Sequence, residues 1–195
     1  MKFYSKLILS LCLILGNLNC KDKGIRFKTE SEFQKQINAF FKDATQSPLK
    51  PEALKGFKSL PFFPIDSSFV VVAKVQKTPK SEFFDMKTTS SRLSKERVFG
   101  VLTFVIKGNS YNLNVYQSKR SISAGDTQLF LPFFDDTNGL STYAGGRYMD
   151  LEIPETEQIY LDFNKAYNPY CAYDERYSCP IVPRENYILS LIHIS

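Results

Sequence analysis

The residues able to do chemistry sit in the last third of the chain. They are Asp135, Asp136, Arg147, Asp150, Asp162, Asn164, Tyr167, Asn168 and Glu185, with two cysteines, Cys171 and Cys179. Carboxylates, amides and one arginine can bind a polar ligand or move protons. They do not make a nucleophile–histidine arrangement. The only histidine is His193, three residues from the end, so a Ser-His-Asp triad or a histidine-based zinc site would have to use it. "AGGRY" (144–148) has paired glycines without phosphate-loop or dinucleotide spacing. It reads as a turn before a strand. "DDTNG" (135–139) has closely spaced oxygens but no full calcium loop, and reads as an Asx-type turn. No metal and no cofactor is expected.

Strand alternation sorts these polar residues. Arg147 shares a face with Met149, Leu151 and Ile153, so it prolongs an apolar face. Buried there, it must pair with a carboxylate. Asp135 and Glu185 are the candidates, in a clasp that fixes the C-terminal segment; a fork for a ligand's carboxylate or phosphate is the alternative. If "RYMDLEIPETEQIYLDFN" (147–164) is a hairpin, its apolar pattern sets Asp150 opposite Asp162, with Asn164 next on that face. The expected ligand-binding set is therefore Arg147, Asp150, Asp162, Asn164, Tyr167, Asn168 and Glu185.

The elements that position these residues follow from periodicity. "TESEFQKQINAFFKDA" (29–44) reads as a helix with Thr29 and Glu32 as a capping box. Phe33, Ile37, Phe40, Phe41 and Ala44 form one apolar stripe, and Pro48 and Pro51 end the helix. Seven strands follow, at 69–75, 82–88, 97–106, 111–117, 128–134, 147–153 and 158–164, with Gly108-Asn109 as a hairpin turn. The expected fold is α+β: an N-terminal amphipathic helix packed on a mostly antiparallel, curled β-sheet, barrel- or sandwich-like.

The chain has 195 residues, enough for one core. Net charge is +5, with lysines scattered rather than striped among aromatics; no nucleic-acid partner is expected. At the N-terminus Lys2 and Lys6 precede the apolar run Leu7–Leu15, and Cys20 follows closely. That run is short for a membrane span and suits a signal peptide. It resembles a lipoprotein signal, although Asn17 and Asn19 depart from the usual residues. The expected organisation is a signal peptide at 1–19, lipid on Cys20, a polar tether at 20–28, and one domain at 29–188. In that exported setting Cys171 and Cys179 are expected to form a disulfide.

"LFLPFFDDTNGLSTYAGGRYMDLEIP", "LDFNKAYNPYCAY" and "CPIVPRENY" resemble the motif set of the bacterial domain-of-unknown-function family DUF1684. "SPLKPEALKGFKSLPFFPID" resembles that family's N-terminal part. The likeness runs from about Phe27 to Tyr187, with Tyr170 and Val182 standing where the family often has proline. Members are often exported or lipid-anchored, and the resemblance supplies no chemistry. The final "LSLIHIS" (189–195) departs from the family and matches a translated transposase end, so it is expected to be non-native. The functional expectation is a non-catalytic module in the cell envelope, lipid-anchored to the membrane, binding a small polar ligand or partner. A carboxylate-dependent hydrolase and a purely structural lipoprotein are the alternatives.

Overall fold

The computed structural model describes residues 26–27 and 30–189. The expected signal peptide, Cys20, most of the tether and residues 190–195 of the tail lie outside the described residues.

Two helices lie between a two-residue first strand and the remaining strands. Helix α1 spans Glu32–Lys42. Its capping box is Ser31 with Gln34, not Thr29 with Glu32. The two S/T-x-x-E/Q patterns overlap, and the helix starts at the second. Ser31 Oγ accepts from Gln34 N (3.2 Å) and Gln34 Oε1 accepts from Ser31 N (3.0 Å). The apolar stripe is only partly covered. Phe41 is buried, Phe33, Ile37 and Phe40 are half-buried, and Ala44 is exposed beyond the helix end. The ring contacts of α1 reach another loop: Phe41 meets Tyr173 edge-on at 4.8 Å, and Phe40 stacks on Tyr170 at 5.9 Å. A short helix, α2 (Pro51–Gly56), follows with Pro51 in its first turn.

All seven expected strands are present. Strand β1 (Arg26–Phe27) pairs with β2 (Ile65–Asp66). Then come β3 (Val70–Lys77), β4 (Phe84–Lys87), β5 (Leu93–Ile106) and β6 (Asn109–Ser118). A one-turn helix, α3 (Lys119–Ser123), leads to β7 (Gln128–Asp135), β8 (Arg147–Glu152), β9 (Gln158–Asp162) and β10 (Tyr187–Ile188). The β5–β6 turn is centred on Lys107-Gly108, one residue before the expected pair. Asn109 already pairs with Ile106, and both Lys107 (φ 49°) and Gly108 (φ 82°) take the positive φ a tight two-residue turn needs.

The strands form a mostly antiparallel, curled half-barrel. Its order is β8–β7–β6–β5–β3–β9, with β4 on β5 and β10 parallel to β7. The concave face holds the main core, including Leu102, Phe104, Leu113, Leu131, Phe133 and Phe163. Strands β8 and β9 do not form a hairpin, contrary to expectation. β8 pairs with β7 (Asp150 opposite Phe130), and β9 pairs with β3 (Asp162 opposite Val70). The period-two pattern fixed which residues face inward on each strand. It is equally satisfied by either partner, so it could not select one.

A second, smaller core lies on the convex face. Tyr148, Cys179 and Val182 are buried there, with Phe130, Phe134, Tyr167, Cys171 and Tyr177 packed around them. Residues 168–183 form a strap that supplies much of it. Ile181 N donates to Lys87 O (2.8 Å), Thr89 N donates to Cys179 O (2.9 Å), and Tyr148 OH donates to Pro180 O. Gly146 lets the strap approach. A Cβ there would sit 2.5 Å from Val182 Cγ2 at a φ of +89°.

Candidate functional site: an open seam between two strands

The half-barrel does not close. Between β8 and β9 lies a slot of about 670 Å³. Its lining includes the inward-facing Met149, Leu151, Ile153 and Ile159, and the outward-facing Asp150, Glu152, Tyr160 and Asp162, with Phe33, Glu155, Lys165 and Tyr167. Alternation explains the arrangement: at a seam, inward residues make an apolar floor and outward ones make walls.

Both ends of the slot are blocked by the chain itself. Residues 153–157 join β8 to β9 at one end. At the other, the chain leaving β9 crosses back: Tyr148 and Tyr167 exchange N–H···O bonds at 2.9 Å each. Backbone groups between these ends face the opening. Tyr148 turns its polar groups to Tyr167 and Ile153 N donates to Thr127 O (3.1 Å), so by antiparallel alternation Asp150 and Glu152 point theirs into the slot. Val75 N donates to Glu157 O (2.8 Å), which by the same rule points Tyr160 into it.

Asp150, Asp162 and Tyr167 are brought together here as slot residues. Tyr167 OH donates to Asp150 Oδ2 at 2.7 Å. The Asp150 carboxyl is solvent-accessible at the mouth yet stands beside the apolar floor. This desolvation raises its pKa above the ordinary carboxylate value, the Tyr167 bond works against the rise, and the Asp126 charge adds to it. Burial also pushes the Tyr167 phenol far up, with Asp150 contributing, so Tyr167 stays a donor. Asp162 Oδ1 accepts from Asn164 N (3.1 Å) and Nδ2 (2.8 Å), capping a short 3₁₀ turn.

The remaining expected ligands are elsewhere. Arg147 is fully buried on the inner face, with Nη2 2.8 Å from Asp135 Oδ1 and the guanidinium 5.0 Å from the Phe133 ring centroid. Thr137 donates to the same oxygen from N (3.1 Å) and Oγ1 (2.5 Å). Burial pushes the Arg147 pKa down, and the Asp135 carboxylate opposes that. This is the clasp, with Asp135 rather than Glu185 as carboxylate. Buried on the concave face, Arg147 cannot reach a ligand in solvent. Glu185 is exposed on the segment before β10, away from the slot lining. Asn164 is buried and acts as a rivet: Asp66 N donates to its Oδ1 (2.8 Å) and its Nδ2 donates to Asp66 O (3.0 Å). Asn168 Nδ2 reaches Tyr173 OH at 3.4 Å, inside the strap. Asp136 accepts from Tyr187 OH beside β10.

The expected disulfide is absent: Cys171 and Cys179 are free thiols. They are neighbours nonetheless, with Cys171 N donating to Cys179 Sγ at 3.2 Å. Folding brings the thiols together, but joining them is an oxidation that packing does not perform. Burial first, then Cys171, pushes the Cys179 thiol up to about 12, so it is not a reactive thiolate at neutral pH.

The sequence reading missed two things. Asn186 is fully buried and holds β6, β7 and β10 together. Asn114 N donates to its Oδ1 (2.9 Å), and its Nδ2 donates to Asn114 O and Pro132 O (2.7 Å each). Pro132 inside β7 was the available signal, because a proline marks a place where strand pairing is interrupted. The slot itself was the other, since Phe33, Tyr160 and Lys165 enter it only once β8 and β9 part.

A family model described as "Protein of unknown function (DUF1684)" matches residues 55–193. No curated protein matches the chain. Among solved structures, the chain is similar to an uncharacterized protein of Haloarcula marismortui determined by solution NMR. The two share 32% identity over 83% of this chain and 88% of that one, with a TM-score of 0.65.

Proposed function

The chain belongs to the DUF1684 family, and we propose that it is a non-catalytic module that binds a small ligand in the slot between β8 and β9. One observation carries this reading: the slot joins an apolar floor to polar walls, in the size range of small-molecule sites. The arrangement speaks less for hydrolysis. Asp150 is hydrogen-bonded to Tyr167 and Asp162 to Asn164, and neither is bonded to a Ser, Thr, Cys or Lys side chain among the described residues.

Protein purified from its own source under native conditions should carry a small molecule, detectable by mass spectrometry after denaturation. Ile153→Trp, which fills the slot, should lose it. Empty wild-type protein, or equal retention by the filled variant, would reject the reading.

We place the module in the cell envelope, held by lipid on Cys20, with the signal-like 1–19 segment as support. In an oxidising compartment the neighbouring Cys171 and Cys179 become joined. Cys20→Ser should abolish detergent partitioning of protein made with its native leader; equal partitioning would refute the anchor.

A further inference from the structure

We infer that the slot selects an organic cation: a compact molecule with an apolar body and a positively charged amine head. This names the ligand class of the site proposed above and rests on that reading.

Acidic walls alone would be only a charged surface. What makes a site is their position around a recessed apolar floor of Met149, Leu151 and Ile159. An apolar ligand body gains from covering that floor. The same covering strips water from Asp150, which costs free energy unless opposite charge replaces it. Every carboxylate that lines the slot asks for a positive head: Asp150, Glu152, Glu155 and Asp162, against the single cation Lys165. The sign is opposite to that of the whole chain, which carries +5, so it does not reflect bulk composition. Tyr160 and Tyr167 also line the slot, and aromatic rings attract cations.

Other ligand classes fit less well. An anion meets the wrong sign. A bare metal ion needs several converging oxygens, and among the described residues no three His, Cys, Asp or Glu side chains are grouped to hold one. An extended peptide would have to run out of both ends, where residues 153–157 and the Tyr148–Tyr167 crossing stand. A compact ligand enters from the open side.

The test is an amide NMR titration of the folded chain with three probes of one body and different charge: phenethylammonium, phenethyl alcohol and phenylacetate. Phenethylammonium should shift the Asp150, Leu151, Tyr160 and Tyr167 signals and bind about tenfold more tightly than the alcohol, the scale of one well-placed charge contact. Phenylacetate should bind most weakly. Asp150→Asn should cost the cation most of its advantage over the alcohol. Asp162→Asn, on the opposite wall, should weaken the cation to a lesser degree. If the alcohol or phenylacetate binds in the slot as tightly as the cation, or if neither substitution affects the cation's advantage, cation selection is wrong while slot binding survives. If none of the three probes shifts a slot residue, the inference and the reading beneath it both fail.

Discussion

Two breaks in the strand pairing of the half-barrel treat polar groups in opposite ways. Around β7 and β10, polar side chains substitute for missing backbone pairs. Asn186 stands in where β6 and β7 part, and Arg147, Asp135 and Thr137 form a closed, fully buried set. Around β8 and β9, the strands part and nothing among the described residues fills the gap. Backbone groups that could have been riveted shut, as Asn164 rivets Asp66, stay open. A break bridged by buried polar side chains in one place and left open in another points to a structural role for the first and a binding role for the second.

That contrast is broken most decisively at the clasp. Arg147→Met should destabilise the protein by about 3–5 kcal/mol, because it strands the Asp135 carboxylate in the interior. Denaturant unfolding measures it, and a loss below about 1 kcal/mol would mean the pair is not the anchor. Asn186→Ala comes next. It leaves Asn114 N and two carbonyls buried without partners, and should cost about 2–3 kcal/mol. Hydrogen exchange should quicken locally in β6 and β10. Uniform exchange would deny the amide its role as a rivet.

How far such features could be read in advance depends on the range of the interaction. All seven strands were legible, and so was the inward face of β8, because alternation is local. Arg147 was placed correctly on an apolar face, with Asp135 among two candidate partners, by the same rule. The partners of β8 and β9 were not legible, since Leu151 and Leu161 satisfy burial with any neighbour. The slot was hidden for that reason. Asp150 and Asp162 were assigned to a shared site by a hairpin that does not exist; they meet because two unpaired edges frame one opening. The crowded "NPYCAYDERYSCPIVP" segment announced irregularity and a cysteine pair. Its role in covering the convex face around Tyr148 needed the tertiary structure.

The strap gives a middle-sized effect. Oxidising the folded protein should join Cys171 to Cys179 and raise stability by about 2 kcal/mol through the closed loop. Mass spectrometry should find the two cysteines linked, and the gain should vanish on reduction. Thiols that both remain alkylatable after oxidation would show that the strap holds them too far apart.

The smallest effect belongs to the open edge. The Asp150 pKa is raised in the folded protein, chiefly by desolvation at the slot. Its folded form therefore holds a proton more tightly than the unfolded chain does. The linked stability is fully present below the unfolded aspartate pKa of about 3.9, and is lost as pH rises through the higher folded value. Asp150→Asn should remove that decline, so the variant gains relative to wild type at neutral pH. The carboxyl is accessible to solvent, which screens the effect, and the gain should stay within about 0.5 kcal/mol. Glu96 provides the internal comparison. It is only 3% exposed, accepts from Ser94 Oγ at 2.7 Å, and burial raises its pKa too. Glu96→Gln should flatten the same decline towards neutral pH by more than Asp150→Asn, because less water reaches it. Unfolding free energies followed from acid to neutral pH for both variants decide the order. If Asp150→Asn instead loses stability at neutral pH, its carboxylate is held by a positive partner in the folded state, and the slot is not the open acidic site described above.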